Sequence, residues 1–462
     1  MKTPPKFKLD VLERDWIVGV SGSNFFRRVQ ACISRIEATD DSVTEQSVLI
    51  AEADPVEFAA AFFAGVYTGV SIILANPKWQ QSEWEQLRGL VNPAIAFGES
   101  GIFETEGVSE VDHPKRGTIL IPTGGSSGKL KLAVHTWETL LASCQGFHSF
   151  IGVGPIHSCC VLQLYHVSGL MQLMRSFVSG GQIVFTDYKA LEVGQLPEIA
   201  AERLCLSLVP TQLQRMLEQQ ATTNWLRGLR AIFLGGAPMS LGLRARAQEY
   251  RLPVVPTYGM TETAAMATAL PASAFLAGNS SVGYSLNHAT VQVVRENGSC
   301  CLPEETGRIH IQARSLCLGY HGLASEISQE GYLSMDEGYL DHEGCLHIVG
   351  RSDRIIISGG ENIDPLEVEA AFLKSGMVEQ ALVIGWPDPE WGERLVAFYV
   401  AVDESGNCKA LQQHLQSNLV NYKIPRQIIQ VEQLPLSAQS KPDRALIKKL
   451  LEKTEGAERN LL

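Results

Sequence analysis

The sequence predicts an α/β protein, in which a large N-terminal domain of mixed sheets and packed helices precedes a small mobile C-terminal α+β domain. Three observations lead to this fold class. Strands alternate with helices over most of the first 280 residues, antiparallel patterns follow, and a second, shorter α/β series ends the chain. A chain of 462 residues is also too long for one compact core.

The first series begins at about Val70, where short β-branched runs alternate with amphipathic stretches. The predicted strands are 70–76, 118–123, 159–165, 182–185, 204–209 and 230–236, and the predicted helices include 135–147 and 210–220. Strands that alternate with helices favour a largely parallel sheet, and such sheets bind ligands beyond the carboxyl ends of their strands. Loops there are expected to carry the functional residues.

The pattern changes after about Asn279, where a β-rich subdomain of antiparallel strands is predicted over about 280–352. The second series follows, and we place the domain boundary near Asp353, with domains 1–352 and 354–462. The predicted elements of the small domain are helix 364–374, strands 380–385 and 395–402, helix 409–419, strand 427–431 and helix 443–452.

Composition excludes several classes of protein. Apolar residues make up 45% and charged residues 19% of the chain, as in ordinary globular proteins. The net charge of −12, without a long basic block, argues against nucleic acid as a partner. A charged N-terminus without an apolar core and the lack of an 18-residue apolar run predict a cytoplasmic protein without a membrane span. Composition leaves a homo-oligomer open.

The segment Thr123–Lys129 (TGGSSGK) follows one strand and precedes another at Leu130–Val134. Glycines let the backbone approach an anion closely, and hydroxyl and backbone N–H groups donate to phosphate oxygens. A Walker-type P-loop is excluded because Thr123 stands five residues before Gly128 and Leu130 follows the lysine. A surface hairpin is the alternative if the loop is taken alone.

Further motifs follow in order along the chain. They are 256–263 (PTYGMTET), 336–341 (DEGYLD), 350–353 (GRSD), 359–363 (GGENI) and 440–444 (SKPDR). In the first, an aromatic ring beside a glycine can cover a flat base, and a hydroxyl with a carboxylate can hold Mg²⁺ near phosphates. Taken singly, a glutamate in a loop is more often only solvated.

Taken together, these blocks closely resemble the adenylate-forming superfamily of acyl-CoA ligases, peptide-synthetase adenylation domains and luciferases, from about Phe58 to Arg444. The resemblance implies ATP, Mg²⁺ and coenzyme A as cofactor and co-substrates of an acyl-adenylate pathway. It assigns ATP binding to Thr123, Gly124, Gly125, Ser126, Ser127, Gly128, Lys129, Lys131, Gly235, Gly236, Ala237, Pro238, Tyr258, Gly259, Asp336 and Arg351.

The other implied roles concern catalysis and domain motion. Thr261 and Glu262 are expected to position phosphate and Mg²⁺, and Lys441 matches the lysine of the adenylation step. Asp353 matches the hinge of the small domain, and Gly359 with Gly360 should line the coenzyme A channel. The family usually has proline at Leu130 and glycine at Ser440, which leaves the geometry of both loops open.

The acid substrate is the harder inference. His166, Arg175 and Gly259 are the predicted substrate residues, and Arg175 lies in the otherwise apolar helix QLMRSFV. An arginine there needs an anionic partner, so the substrate is predicted to carry a second carboxylate. The alternative is that Arg175 extends to solvent or pairs internally. The arrangement HVSGL…MR is similar to that of o-succinylbenzoate–CoA ligases of menaquinone and phylloquinone biosynthesis. Another aryl or acyl acid–CoA ligase and a stand-alone enzyme that loads a carrier protein are the rival interpretations.

Overall fold

The structure is a computed structural model. It describes residues 6–38, 47–98, 113–124, 130–152, 154–239, 241–324, 327–328, 330–351, 355–402, 408–435, 443 and 446–452. Four sheets organise these residues. None of the helices within the described ranges is long and apolar enough to cross a membrane.

The first sheet has five strands in the order β3-β1-β2-β4-β5, parallel except for the antiparallel pair β4–β5. The strands are β1 (Ser47–Ala51), β2 (Ser71–Leu74), β3 (Ile95–Gly98), β4 (Thr118–Gly124) and β5 (Leu130–Thr136). The helices are α1 (Gly22–Glu37), α2 (Pro55–Thr68), α3 (Gln81–Arg88) and α4 (Trp137–Ile151), and a 3₁₀ helix spans Leu9–Glu13. Asp54 caps α2 by accepting from the N–H groups of Val56 and Glu57. The apolar residues of α2 are buried in the core of this part of the chain.

The second sheet has seven strands in the order β12-β11-β10-β9-β8-β6-β7. The strands are β6 (His157–Cys160), β7 (Ile183–Phe185), β8 (Leu204–Leu208), β9 (Ala231–Leu234), β10 (Val254–Met260), β11 (Ala265–Ala269) and β12 (Tyr284–Ser285). The helices are α5 (Val167–Ser179), α6 (Tyr188–Glu192), α7 (Pro210–Met216), α8 (Gln220–Gly228), α9 (Leu241–Glu249) and α10 (Ala272–Leu276). The strands from β7 to β10 run parallel, as the alternating pattern predicts.

The predicted strand 159–165 is wrong in its bounds. The strand ends at Cys160, and the chain then turns before α5 begins at Val167. The apolar run continues past Cys160 because Val161, Leu164 and Tyr165 are buried in the turn. Periodicity alone cannot separate such a buried turn from a strand.

A third, antiparallel sheet carries β13 (Ala289–Val294), β14 (Gly307–Ala313), β15 (Ile327–Ser328), β16 (Gly331–Leu340) and β17 (Leu346–Arg351). The fourth carries β18 (Ile356–Ser358), β19 (Glu361–Ile363), β20 (Val378–Asp388), β21 (Gly392–Ala401) and β22 (Gln427–Gln430). Helices α11 (Pro365–Lys374) and α12 (Cys408–Asn418), the 3₁₀ helix Asn421–Lys423 and a helix over 446–452 belong to the same region. This sheet has its own apolar core, so the predicted fold class of a large domain with a smaller C-terminal domain is confirmed.

Candidate active site

A cavity of about 1520 Å³ lies beyond the carboxyl ends of β8, β9 and β10, between the second, third and fourth sheets. It is therefore at the edge of the parallel sheet where such folds bind ligands. The motifs that the sequence singled out converge on it. The predicted site residues in its wall are Thr123, Lys131, His166, Arg175, Gly235, Gly236, Ala237, Pro238, Tyr258, Gly259, Thr261, Glu262, Asp336, Arg351, Gly359 and Gly360.

Several predicted residues cannot be placed in this way. Gly124 ends β4, beside the cavity residue Thr123. The segment 125–129 of the predicted phosphate loop, Asp353 and Lys441 lie outside the described residues. Their roles remain predictions.

The carboxylate of Asp336, on the third sheet, has two hydrogen-bond partners. The Tyr258 hydroxyl donates to Asp336 Oδ2 at 2.7 Å, and Arg351 Nη1 donates to Asp336 Oδ1 at 2.8 Å. The register of β16 and β17 places Asp336 opposite Arg351. Burial and the neighbouring carboxylate raise the pKa of Tyr258, so its hydroxyl stays protonated and donates. The result is a flat ring next to a fixed carboxylate, an arrangement suited to a base and a pair of sugar hydroxyls.

The second acidic group is Glu262, in the 3₁₀ helix Thr261–Thr263 that follows β10. The Tyr320 hydroxyl donates to Glu262 Oε1 at 2.5 Å, and Lys131 Nζ lies 4.9 Å from the centroid of the Tyr320 ring. Burial raises the pKa of the Glu262 carboxyl. Tyr320 is not among the predicted site residues, because nothing in the stretch LCLGYH distinguishes this ring from core residues.

His135, which the sequence analysis also missed, supports the same 3₁₀ helix from behind. Its Nε2 lies 2.8 Å from the Thr261 carbonyl oxygen and its Nδ1 lies 3.0 Å from the Thr139 hydroxyl. Burial lowers the pKa of His135 to about 4, so the neutral ring donates from Nε2 to the carbonyl. The backbone beside Glu262 is thereby fixed.

The donor set fits a magnesium ion that is held largely by phosphates. Glu262 offers a buried carboxylate, and Thr261 adds a hydroxyl at the cavity wall. Within the described ranges, no cluster of three or more carboxylate, histidine or cysteine side chains is built to hold a metal by itself. Mg²⁺ is usually bound through one or two carboxylates together with substrate phosphates, so one glutamate is sufficient here.

Gly259 is required by a close approach of two strands. A Cβ atom at this position would lie 1.8 Å from the Ala265 carbonyl oxygen. The pairing of β10 with β11 shifts register at the same point, between Tyr258 and Gly259. Only glycine lets the strand pass there and leaves room in the cavity floor.

Arg175 occupies the deep wall of the cavity on α5 and is 3% exposed. Its guanidinium carbon lies 4.1 Å from the centroid of the Phe147 ring. Nε and Nη2 have no hydrogen-bond partner in the part of the chain that the structure describes. Burial lowers the pKa of Arg175 to about 10, so the group remains a cation at neutral pH. The alternative that it extends to solvent is wrong.

His166 lies at the opposite end of the same helix, as its N-cap residue, and its side chain is 40% exposed. Its Nε2 is 3.7 Å from Glu361 Oε1, on the C-terminal domain. The two predicted substrate residues of α5 therefore differ in kind, with His166 at the domain interface and Arg175 in the interior.

The C-terminal domain completes the cavity through Gly359 and Gly360, which have φ values of +61° and +90°. The Cα of Gly360 lies 3.7 Å from the Cβ position of Gly236, and a Cβ atom on Gly360 would come within 2.7 Å of Val209 Cγ1. These two glycines thus let the backbone of the small domain reach the wall of the large one.

The structure gives a reason for leucine at position 130, where the family usually has proline. Leu130 pairs with Gly124 at the base of the loop, and its N–H donates to Gln86 Oε1 at 2.7 Å. Proline has no N–H group and could not make this hydrogen bond. Leucine at this position thus ties the base of the loop to α3.

Family models for the AMP-binding enzyme and for the AMP-binding enzyme C-terminal domain match residues 98–321 and 367–441. A 2-succinylbenzoate–CoA ligase of Listeria monocytogenes is 35% identical over 71% of this chain and 68% of its own length. One from Bacillus cereus is 29% identical over 88% of this chain and 89% of its own. The chain belongs to the AMP-binding enzymes, and the predicted superfamily is confirmed.

Solved structures give the same fold. An o-succinylbenzoate CoA synthetase double mutant of Bacillus subtilis with a product analogue superposes with a TM-score of 0.81, at 24% identity over 97% of this chain and 98% of its own. The same relative in complex with its acyl-adenylate intermediate gives 0.65, at 25% identity and the same coverage.

Proposed function

We propose that the protein is an ATP-dependent acid–CoA ligase that converts 2-succinylbenzoate to its CoA thioester through an acyl-adenylate, with release of AMP and pyrophosphate. The observation that carries the substrate is Arg175, a buried cation in the cavity wall without a carboxylate partner among the described residues. The names of the most similar curated relatives support the same substrate. Such a product belongs to menaquinone or phylloquinone biosynthesis.

The nucleotide is held along one side of the cavity. Tyr258 with Gly235 and Gly236 covers the adenine, and Asp336 accepts from the ribose hydroxyls while Arg351 keeps its carboxylate in place. The loop that starts at Thr123 grips the pyrophosphate end. The hydrogen bond between Tyr258 and Asp336 supports this assignment because it fixes the ring and the carboxylate relative to each other before the nucleotide arrives.

The first half-reaction joins two anions. The substrate carboxylate attacks the α-phosphate, and negative charge moves onto the leaving pyrophosphate, so cations aimed at these oxygens lower the barrier. Lys441 supplies one such cation. Glu262, oriented by Tyr320, and Thr261 would hold the magnesium ion, which neutralises phosphate charge when bound. Removal of a single such group typically costs about 100-fold or more in rate.

The second half-reaction needs a different surface of the small domain. The thiol of coenzyme A attacks the carbonyl of the acyl-adenylate, the thioester forms and AMP leaves. Gly359 and Gly360, which have no side chains to block a narrow channel, form the wall next to Gly236. We assign the hinge between the two arrangements to Asp353, at the predicted domain boundary. The packing of Gly360 on Val209 supports thioester formation as the step for which this arrangement is built.

We also propose that the reaction takes place in the cytoplasm, where ATP and coenzyme A are available. The cysteines whose side chains are described are free thiols, and most of them are buried, which agrees with a reducing compartment. Cell fractionation with antibody detection tests the location.

A substrate screen tests the function. Purified protein is incubated with ATP, Mg²⁺, coenzyme A and one acid at a time, and pyrophosphate release and thioester mass are measured. We expect 2-succinylbenzoate to be preferred over benzoate, cinnamate and fatty acids. Equal turnover of monocarboxylates would identify another aryl or acyl acid–CoA ligase. Adenylation without transfer to free coenzyme A would identify an enzyme that loads a carrier protein.

A further inference from the structure

Two exposed polar contacts join the C-terminal domain to the large domain. His166 Nε2 lies 3.7 Å from Glu361 Oε1, and Arg215 on α7 forms an ion pair with Glu390. All four side chains are at least about a third exposed. Exposed pairs of this kind contribute little, on the order of 0–1 kcal/mol, because water and salt screen them. They are therefore poor candidates for fixing the orientation of the small domain.

A third contact is of a different kind because it is buried. Lys423 ends the 3₁₀ helix Asn421–Lys423, and its Nζ lies 2.6 Å from Glu367 Oε1 on α11 of the same domain. The same Nζ lies 3.6 Å from Glu83 Oε1 on α3 of the large domain. The side chains of Lys423 and Glu83 are only 10% and 6% exposed. One ammonium group thus bridges a carboxylate from each domain.

Glu83 depends on this contact. Its Oε2 accepts from the Gln80 N–H and the Ser82 hydroxyl, but its buried Oε1 has no hydrogen-bond partner in the described part of the chain. If the small domain rotated away, Oε1 would lose its contact with the Lys423 ammonium group. Lys423 and Glu83 attract each other at close range only in the present arrangement, so the bridge favours the domain arrangement in which it can form.

The neighbouring residue connects the bridge to the cavity. Tyr422 lines the cavity. Residues 422 and 423 therefore contact the active site and the large domain from one short 3₁₀ helix. The arrangement that forms the bridge also brings Gly360 against Val209.

We propose that Lys423 is a positioning residue, which holds the C-terminal domain in the thioester-forming arrangement by bridging Glu83 and Glu367. This inference rests on the two-step reaction proposed above. Lys423 touches no reacting atom, and its effect is confined to the half-reaction that uses this arrangement.

The two half-reactions are measured separately in the full-length protein. Adenylation is followed by acid-dependent exchange of pyrophosphate into ATP, and thioester formation is followed in a single turnover from pre-made acyl-adenylate with coenzyme A. The variants are Lys423→Met, Glu83→Gln and the double variant, with Lys374→Met as a control at an exposed position on the C-terminal side of α11. Couplings between distant elements commonly amount to about 5- to 150-fold.

We expect Lys423→Met and Glu83→Gln each to slow thioester formation by ~10-fold or more and adenylation by less than ~2-fold. The double variant should lose little more than either single variant, because both break the same bridge. If Lys423→Met does not fold, Glu83→Gln alone decides the question, since it lies in the other domain.

Equal losses in both half-reactions, multiplicative effects in the double variant, or a matching loss in Lys374→Met would overturn the inference. The proposed function has its own control. If wild-type protein forms no thioester at all, the function fails before any variant is compared. If the wild type is active and the variants show no selective loss, only the role of Lys423 fails.

Discussion

Replacement of Arg175 by methionine separates binding from folding in one experiment. The guanidinium is buried, lacks partners at Nε and Nη2, and lines the cavity. Methionine has a similar volume and no charge, so it fills the same space without a donor. We expect the variant to lose its activity on the dicarboxylate while its fold is retained.

The expected loss of activity follows from the burial of the Arg175 guanidinium. Truncation of one partner of a buried charge pair costs about 2–5 kcal/mol, which is roughly 30-fold to several-thousand-fold in kcat/KM for 2-succinylbenzoate. KM for ATP should stay within about 2-fold, because the nucleotide is assigned to Tyr258, Asp336 and Arg351, which bond one another. In the free enzyme, without substrate, the effect of the substitution on the free energy of unfolding has the opposite sign. Methionine carries no charge whose burial costs free energy, and replacement of buried ion pairs by hydrophobic residues is often neutral or stabilising by about 1–4 kcal/mol. This gain is offset here by the lost contact with Phe147, worth about 1–2 kcal/mol.

The assay is thioester formation with 2-succinylbenzoate and with the analogue in which hydrogen replaces the carboxylate that is not activated. The wild type should strongly prefer the dicarboxylate, and Arg175→Met should bring the two substrates close together. Arg116→Met, at an exposed position, serves as the control. An equal loss on both substrates, or a free energy of unfolding lowered by clearly more than the ~2 kcal/mol of the Phe147 contact, would refute the reasoning and indicate a folding role.

Three further outcomes are expected. Lys441→Ala should abolish pyrophosphate exchange but leave thioester formation from pre-made adenylate largely intact, and equal loss of both would contradict the assigned division of roles. In the folded protein the pKa of His135 is about 4, which is below its value in the unfolded chain. As the pH falls from about 6.5 to 4, the unfolded chain therefore binds the proton first, and the free energy of unfolding decreases. His135→Gln should therefore reduce the loss of unfolding free energy between pH 7 and pH 5 by about 2 kcal/mol, measured by urea titration; an unchanged pH slope would contradict it. Leu130→Pro should lose about 1–3 kcal/mol of stability, because the Gln86 amide oxygen is left without its donor. Leu130→Ala keeps that hydrogen bond and is the control. Equal effects of the two substitutions on the free energy of unfolding would contradict this prediction.

The sequence predicts the fold well because its signals are local. The strand at Thr118–Gly124 and the helix at Pro365–Lys374 are bounded by clear changes of periodicity, and both lie within a residue of the prediction. The prediction for the segment after Cys160 is wrong because a turn that packs against the core has the same apolar composition as a strand. Only the surrounding chain determines which of the two forms.

The residues of the candidate site fall into the same two groups, those with a local sequence signal and those that depend on the surrounding chain. Glu262, Asp336 and Arg351 are charged residues in recognisable motifs, and the sequence could name them. Tyr320 and Lys423 act through partners that are 58 and 340 residues away in sequence, at Glu262 and Glu83. Such pairings depend on the packing of separate elements, and no spacing rule within one segment reveals them.

Helix α3 is only eight residues long, yet it serves two distant parts of the enzyme. Glu83 contacts the C-terminal domain, and Gln86, three residues later and on the same side of the helix, holds the base of the predicted phosphate loop at Leu130. A chimera that exchanges this helix with a relative would therefore disturb the grip on the nucleotide and the placement of the small domain together. Anyone who redesigns the enzyme has to treat α3, the loop it anchors and the bridge to Lys423 as a single module.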